Sequence, residues 1–160
     1  MAGVSLIVRM QIGSAIFLGL AGAGPALGQP AAADDIGIAE RALGPAPMTS
    51  DDIAKMSPAT LAEANAGLRD GAAAGIREDG RSLAPGELDV STEIITVAGH
   101  GVLKTRVQIP AKMFYYQFSG VVNGNTVIVV CASKSARPFN PNGTECERRV
   151  NAVFGAGERG

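Results

Sequence analysis

The chain has 160 residues, 46% of them hydrophobic, with 14 Lys and Arg against 15 Asp and Glu. This slightly acidic balance lacks the broad basic footprint of a nucleic-acid binder, so no nucleic-acid partner is expected. Tryptophan is absent and there are only five Phe and two Tyr, so the core must be modest.

Residues 1–28 are expected to be a signal peptide. Arg9 is the only charge before Asp34, and residues 12–23 are apolar or small. That run is too short to cross a roughly 30 Å hydrocarbon core comfortably as a helix. It has the length of the apolar region of a secretory signal. Ala26-Leu27-Gly28 puts small residues where a signal peptidase reads, so cleavage is expected before Gln29. The alternative is an uncleaved anchor starting at Val4, which would bury Arg9 at a cost. The mature protein is therefore expected to be periplasmic or secreted, meeting the membrane only through the signal before cleavage.

Residues 29–160 suffice for one domain but not two. From Gln29 to Val90 there are eleven acids and five bases; from Ser91 to Gly160 there are four acids and eight bases. The eight bases are scattered rather than run together, which points to two solvated surfaces of different sign.

Residues 29–48 read as a flexible lead-in, with IGIAERAL forming at most two helical turns before GPAP stops it. Residues 49–80 read as a helical arm. Thr49 or Ser50 caps a first helix, with Asp51 and Asp52 near the positive end of its dipole. Ser57-Pro58 is a second start signal, and Thr60 with Glu63 is an alternative capping box. Leu61, Ala64, Leu68 and Ala72 share one helical face. Alanine buries little area, and Gly67, Gly71 and Gly75 weaken the helix. An arm that opens easily is therefore expected, docking either on the rest of the domain or on a partner. Residues 81–90 read as a linker.

Residues 91–154 switch to a β period, giving an α+β fold: marginal helices followed by a small antiparallel meander. Residues 102–109 alternate, with Lys104, Arg106 and Gln108 on one parity and Leu103, Thr105, Val107 and Ile109 on the other. Phe114, Tyr116 and Phe118 share a face. Asn123-Gly124 between two such runs is a strong hairpin signal. If those two residues alone make the turn, Tyr116 faces Cys131 and Phe118 faces Val129. Residues 127–130 are apolar without alternation, as in a central strand covered on both sides. Residues 134–145 read as a loop, CERRVNAVF as a short helix or edge strand, and residues 155–160 as a loose end.

Cys131 and Cys146 are the only cysteines and lie fifteen positions apart. In an exported protein an even count predicts a disulfide, and closing that loop is worth about 3 kcal/mol. Two cysteines alone are too few for a zinc site. They are too far apart for a C-x-x-C redox pair.

His100 lies between two glycines and reads as a turn residue. It lacks nearby ligands for a metal, and Ser119 and Ser133 lie in no nucleophile elbow. The carboxylate pairs at residues 34–35, 51–52 and 78–79 read as solvated or capping groups. Asn142-Gly143-Thr144 matches a glycosylation acceptor but is read as loop. No metal or cofactor is expected. Lys104, Arg106 and Lys112 with Tyr115 and Tyr116 form a candidate cationic aromatic surface, Tyr115 being on the parity opposite Phe114, Tyr116 and Phe118 and so expected to be the exposed one. The function expected is non-enzymatic: binding to another envelope or secreted protein, or assisting envelope assembly, through protein–protein contacts. The alternatives are a small hydrolase using His100 with a carboxylate, and an enzyme inhibitor using the 134–145 loop.

Overall fold

The structure is a computed structural model that describes residues 35–75, 77–78, 81–109 and 112–156. The segment expected to be a signal peptide, the first part of the lead-in, residues 76, 79–80 and 110–111 and the last four residues lie outside the described residues. In chain order the elements are β1 (Ile36–Pro45), α1 (Ser50–Ala54), α2 (Pro58–Gly75), β2 (Arg77–Glu78), β3 (Arg81–Ser82), β4 (Asp89–Val97), β5 (His100–Ile109), β6 (Met113–Val122), β7 (Asn125–Ser133) and α3 (Glu145–Ala156). Five strands make an antiparallel sheet in the order β1-β7-β6-β5-β4, and β2 and β3 pair separately. The chain is α+β, with one disulfide between Cys131 and Cys146.

Two tight turns set the register of the meander. Ala98 and Gly99 have φ of 50° and 86°, and Asn123 and Gly124 have φ of 51° and 77°. Both turns need two consecutive positive φ angles, as two-residue hairpins of the strand-matching hand do. The second puts Tyr116 opposite Cys131 and Phe118 opposite Val129, as the two-residue turn predicts. The first turn lies one residue earlier than read from the sequence. His100 is not in it but pairs with Val97 as the first residue of β5.

The lead-in is corrected by β1. Residues 36–43 are strand, not helix. The groups of β7 that point away from β6 need partners, because β7 is buried along residues 126–131. β1 supplies them, pairing from Ile36 opposite Ser133 to Pro45 opposite Asn125 with an irregularity between Ala42 and Gly44. The start of β1 is pinned by Asp35. Its carbonyl accepts from the Lys134 N–H at 2.7 Å, and its carboxylate accepts from Ser133 Oγ and the Ser135 N–H at 3.3 Å, and from Ser135 Oγ.

Helices cover both faces. On one, Ala64, Leu68, Ala72 and Ala73 of α2 pack with Leu83, Leu88, Val90, Val107, Ile109, Tyr115, Ile128 and Val130. α1 closes the end of this face through Ile53, which is 2% exposed. Its seat is Gly101, where an added Cβ would come within 2.5 Å of Ala54 N. A capping box starts α1: the Thr49 hydroxyl accepts from the Asp52 N–H at 3.1 Å, and the Asp52 carboxylate accepts from the Thr49 N–H at 2.9 Å. These bonds hold the Asp52 carboxyl below its usual pKa, the Thr49 backbone bond contributing most. Ser57 accepts from the Thr60 N–H at 3.1 Å ahead of Pro58, so the proline start is the one used.

The arm is therefore core, not a free docking segment. Small residues let α2 approach the sheet closely, which restores the contact that alanine's small area forfeits. The linker is core too: Leu83 and Leu88 are each 5% exposed, and the Leu83 N–H donates to the Ala73 carbonyl at 3.0 Å.

The other face carries Val97, Val102, Phe114, Phe118, Val127, Val129 and Cys131 under Cys146, Val150 and Phe154 of α3 and Phe139 of the preceding loop. The CERRVNAVF segment thus returns as a helix. The Phe154 ring packs at Gly120, where a Cβ would come within 2.8 Å of it. The disulfide joins the end of β7 to the first turn of α3, both sulfur residues being 0% exposed.

Candidate functional site

On the α3 face, beyond the area roofed by α3 and Phe139, a polar strip crosses three strands. β4 contributes Asp89, Ser91 and Glu93, β5 contributes Lys104, Arg106 and Gln108, and β6 contributes Tyr116. Cross-strand register makes the group: Ser91 is opposite Arg106, Glu93 opposite Lys104, and Arg106 opposite Tyr116. Lys104 Nζ is 3.3 Å from Glu93 Oε1, and Arg106 Nη2 is 2.8 Å from Asp89 Oδ2. The Lys104 ammonium also stands 5.3 Å from the centre of the Tyr116 ring.

Tyr116 is held from behind. Its ring meets Phe114 edge-on at 5.4 Å and Phe139 at 5.5 Å, contacts worth about 0.5–1.5 kcal/mol each beyond area burial. Partial burial raises its phenol pKa first of all; Arg106 acts to lower it and the Glu93 charge to raise it further. The phenol therefore stays neutral near pH 7, available for stacking and hydrogen bonding. The ion pairs around it are partly exposed, with Glu93 and Asp89 side chains at 64% and 57%. Such pairs contribute about 0–1 kcal/mol, so an incoming ion can exchange for either acid at little cost. The strip can thus offer a cation, an anion and an aromatic face to a charged partner.

Of the residues read from the sequence, Lys104 and Arg106 come together here. Tyr115 does not, and its expected exposure is corrected. It is 4% exposed on the opposite face, in the α2 core, and burial drives its phenol pKa far upward. Both faces of β6 are covered, so strand parity alone does not select a solvent side. Lys112 is exposed in the turn before β6, its N–H donating to the Ile109 carbonyl at 3.0 Å. Tyr116, read with Tyr115 as part of this surface, is the tyrosine that reaches it; Glu93 and Asp89 were missed. The β4–β5 charge alternation was a usable signal for the acids.

The residues of the alternative chemistries are dispersed. His100 sits at the turn end of β5, whereas Ser133 closes β7 at the other end of the sheet. Ser119 is 1% exposed and accepts from Gln117 Nε2 at 3.2 Å. Both cysteines are bonded to each other. Among the described residues no three His, Cys, Asp or Glu side chains group as metal ligands. Ala136, Phe139 and Pro141 of the 134–145 loop are buried, so this loop folds back on the sheet rather than projecting. No protein-family model, curated protein or solved structure matches the chain.

Proposed function

We propose that this is a small exported protein without catalytic activity that works through protein–protein contacts in the envelope or outside the cell, with the Lys104–Arg106–Tyr116 strip as its contact surface. The observation that carries the reading is the grouping itself: two cations and a braced aromatic ring side by side, each cation held by an exposed acid. Steering by such charges favours a partner of mixed or acidic surface. The buried disulfide supports export, since it fits an extracellular or periplasmic location. Among the described residues no helix is long and apolar enough to cross a membrane.

The test places a photo-crosslinking residue at Ser91, exposed and opposite Arg106 within the strip, and separately at Ala62, exposed on α2. In the native compartment the Ser91 position should yield a discrete protein adduct that the Ala62 position does not. Adding Lys104→Gln and Arg106→Gln should remove it with little change in the melting temperature, because the ion pairs lost are partly exposed. No adduct, or one that survives both substitutions, overturns the reading. The intact mass of the exported chain should correspond to a start near Gln29; a mass that retains Met1 would favour an anchor.

A further inference from the structure

The two edges of the sheet are guarded differently. A two-residue turn makes its flanking residues a hydrogen-bonded pair, and bonding alternates along each strand from there. From Val97 and His100, the even-numbered residues of β4 direct their backbone groups outward. One of these, the Val90 carbonyl, accepts from Asn65 Nδ2 of α2 at 3.2 Å, and α2 packs along β4. From Val122 and Asn125, the even-numbered residues of β7 bond to β1, where they face Gly37, Ala39 and Arg41. The bond from the Lys134 N–H to the Asp35 carbonyl continues the same parity. Ile36, Ile38, Glu40 and Ala42 of β1 therefore point their N–H and C=O groups away from the sheet. α3 packs chiefly on β4, β6 and β7, and reaches β1 through Arg149, whose Nη1 is 3.4 Å from Glu40 Oε2. Ile36 and Ile38 are partly buried beside this edge, their side chains packed against the α3-face cluster.

We propose that the β1 edge pairs with β1 of a second copy of this chain, antiparallel about a two-fold axis at Ala39. The register follows from the side chains. Residues directly opposite across such an axis share a face, so centring on Glu40 or Arg41 would set like charges against each other. Centring on Ile38 pairs a shorter stretch. The irregularity at Ala42/Gly44 and Pro45 ends pairing beyond Ala42. With Ala39 at the axis, Ile38 faces the second copy's Glu40, Gly37 faces its Arg41, and Ile36 faces its Ala42. All four outward residues then find backbone partners. The two Arg41 side chains stand about 14 Å apart along the strands. Each Glu40 keeps its Arg149, so acids and bases alternate around the axis on that face. Arg41 of one copy crosses over Gly37 of the other, which has no side chain of its own, and the group it meets there is the Lys134 side chain, which must swing aside. Lys134 lies beside Gly37 and is exposed, free to turn its ammonium to solvent. A seven-residue strand pair is a small interface, so the dimer is weak and concentration-dependent.

Ala39 opposite Ala39 is a non-hydrogen-bonded pair, with Cα atoms about 4.5 Å apart, close enough for a disulfide. The Ala39→Cys chain, whose native cysteines remain joined, should give a covalent dimer on mild oxidation, and Arg41→Cys alone should remain monomeric. Mixing Gly37→Cys with Arg41→Cys chains should give the mixed disulfide, which tests the register independently of Ala39. Glu40→Pro removes an outward N–H and the exposed ion pair to Arg149 but no bond to β7, and such a pair is worth about 0–1 kcal/mol. β1 should stay paired with β7 and the melting temperature should change little, while sedimentation loses the dimer. Glu40→Ala, lacking the same ion pair but keeping the N–H, should retain it. Absence of both crosslinks in folded protein overturns the proposal. So does crosslinking of Arg41→Cys alone as efficiently as Ala39→Cys.

Discussion

Tyr115 and Tyr116 are neighbours in sequence with opposite environments. Tyr115 sits in the α2 core, and desolvation alone drives its phenol far above the ordinary value of about 10. Tyr116 faces the strip and is raised less. A group whose folded pKa exceeds its unfolded value favours the folded state while both states are protonated. The advantage is lost as pH rises past the unfolded value toward the folded one. The urea midpoint should therefore hold to about pH 9 and then fall steadily through pH 11, where the unfolded chain ionises both phenols readily. Tyr115→Phe should flatten most of that fall, because it removes the more strongly shifted group. An alkaline slope unchanged by Tyr115→Phe would place the titration elsewhere.

At the level of elements, α2 decides whether the N-terminal half belongs to the core. Its apolar face is mostly alanine, and a helix with so little area is marginal by itself. Packed against β4 with Leu68 at 5% exposure, it becomes one wall of the main cluster. Leu68→Ala should cost about 2–5 kcal/mol, read by chemical denaturation. Amide exchange across residues 61–73 should be slow, approaching that of β7. A cost near zero together with rapid exchange in α2 would mean that the helix detaches readily, as its composition alone implies.

At the scale of the molecule, the sheet holds two helical layers by different means. α1 and α2 arrive between β1 and the meander, so chain connectivity fixes them at both ends. α3 is bonded to the sheet at its start, where Cys146 joins Cys131. Val150 and Phe154 bury its inner face, with Val153 packed beside them and Arg149 reaching Glu40. Cys131→Ser or Cys146→Ser should lower stability by about 2–4 kcal/mol. Exchange should quicken first in α3, ahead of β6 and β7. Native protein should resist alkylation at both positions until reduced. Uniform loss across all elements would show instead that the bridge supports the whole sheet.

The local signals were legible in the amino-acid order. Alternation across residues 102–109, Asn-Gly at 123–124, the starts at Thr49 and Ser57, and a lone pair of cysteines each depend on a few neighbouring residues. The turn geometry then carried the β6–β7 register as far as Cys131. Tertiary structure decided the rest, through terms that no short window contains. Residues 36–43 became strand because buried β7 required backbone partners on its second side. The arm became core because small side chains let α2 approach a sheet distant in sequence. Tyr115 went inside because both sheet faces are roofed, so parity separates two interiors rather than inside from outside. Asp89, Glu93, Lys104, Arg106 and Tyr116 became one surface because three strands align in register, a relation set by the turns and the packing together.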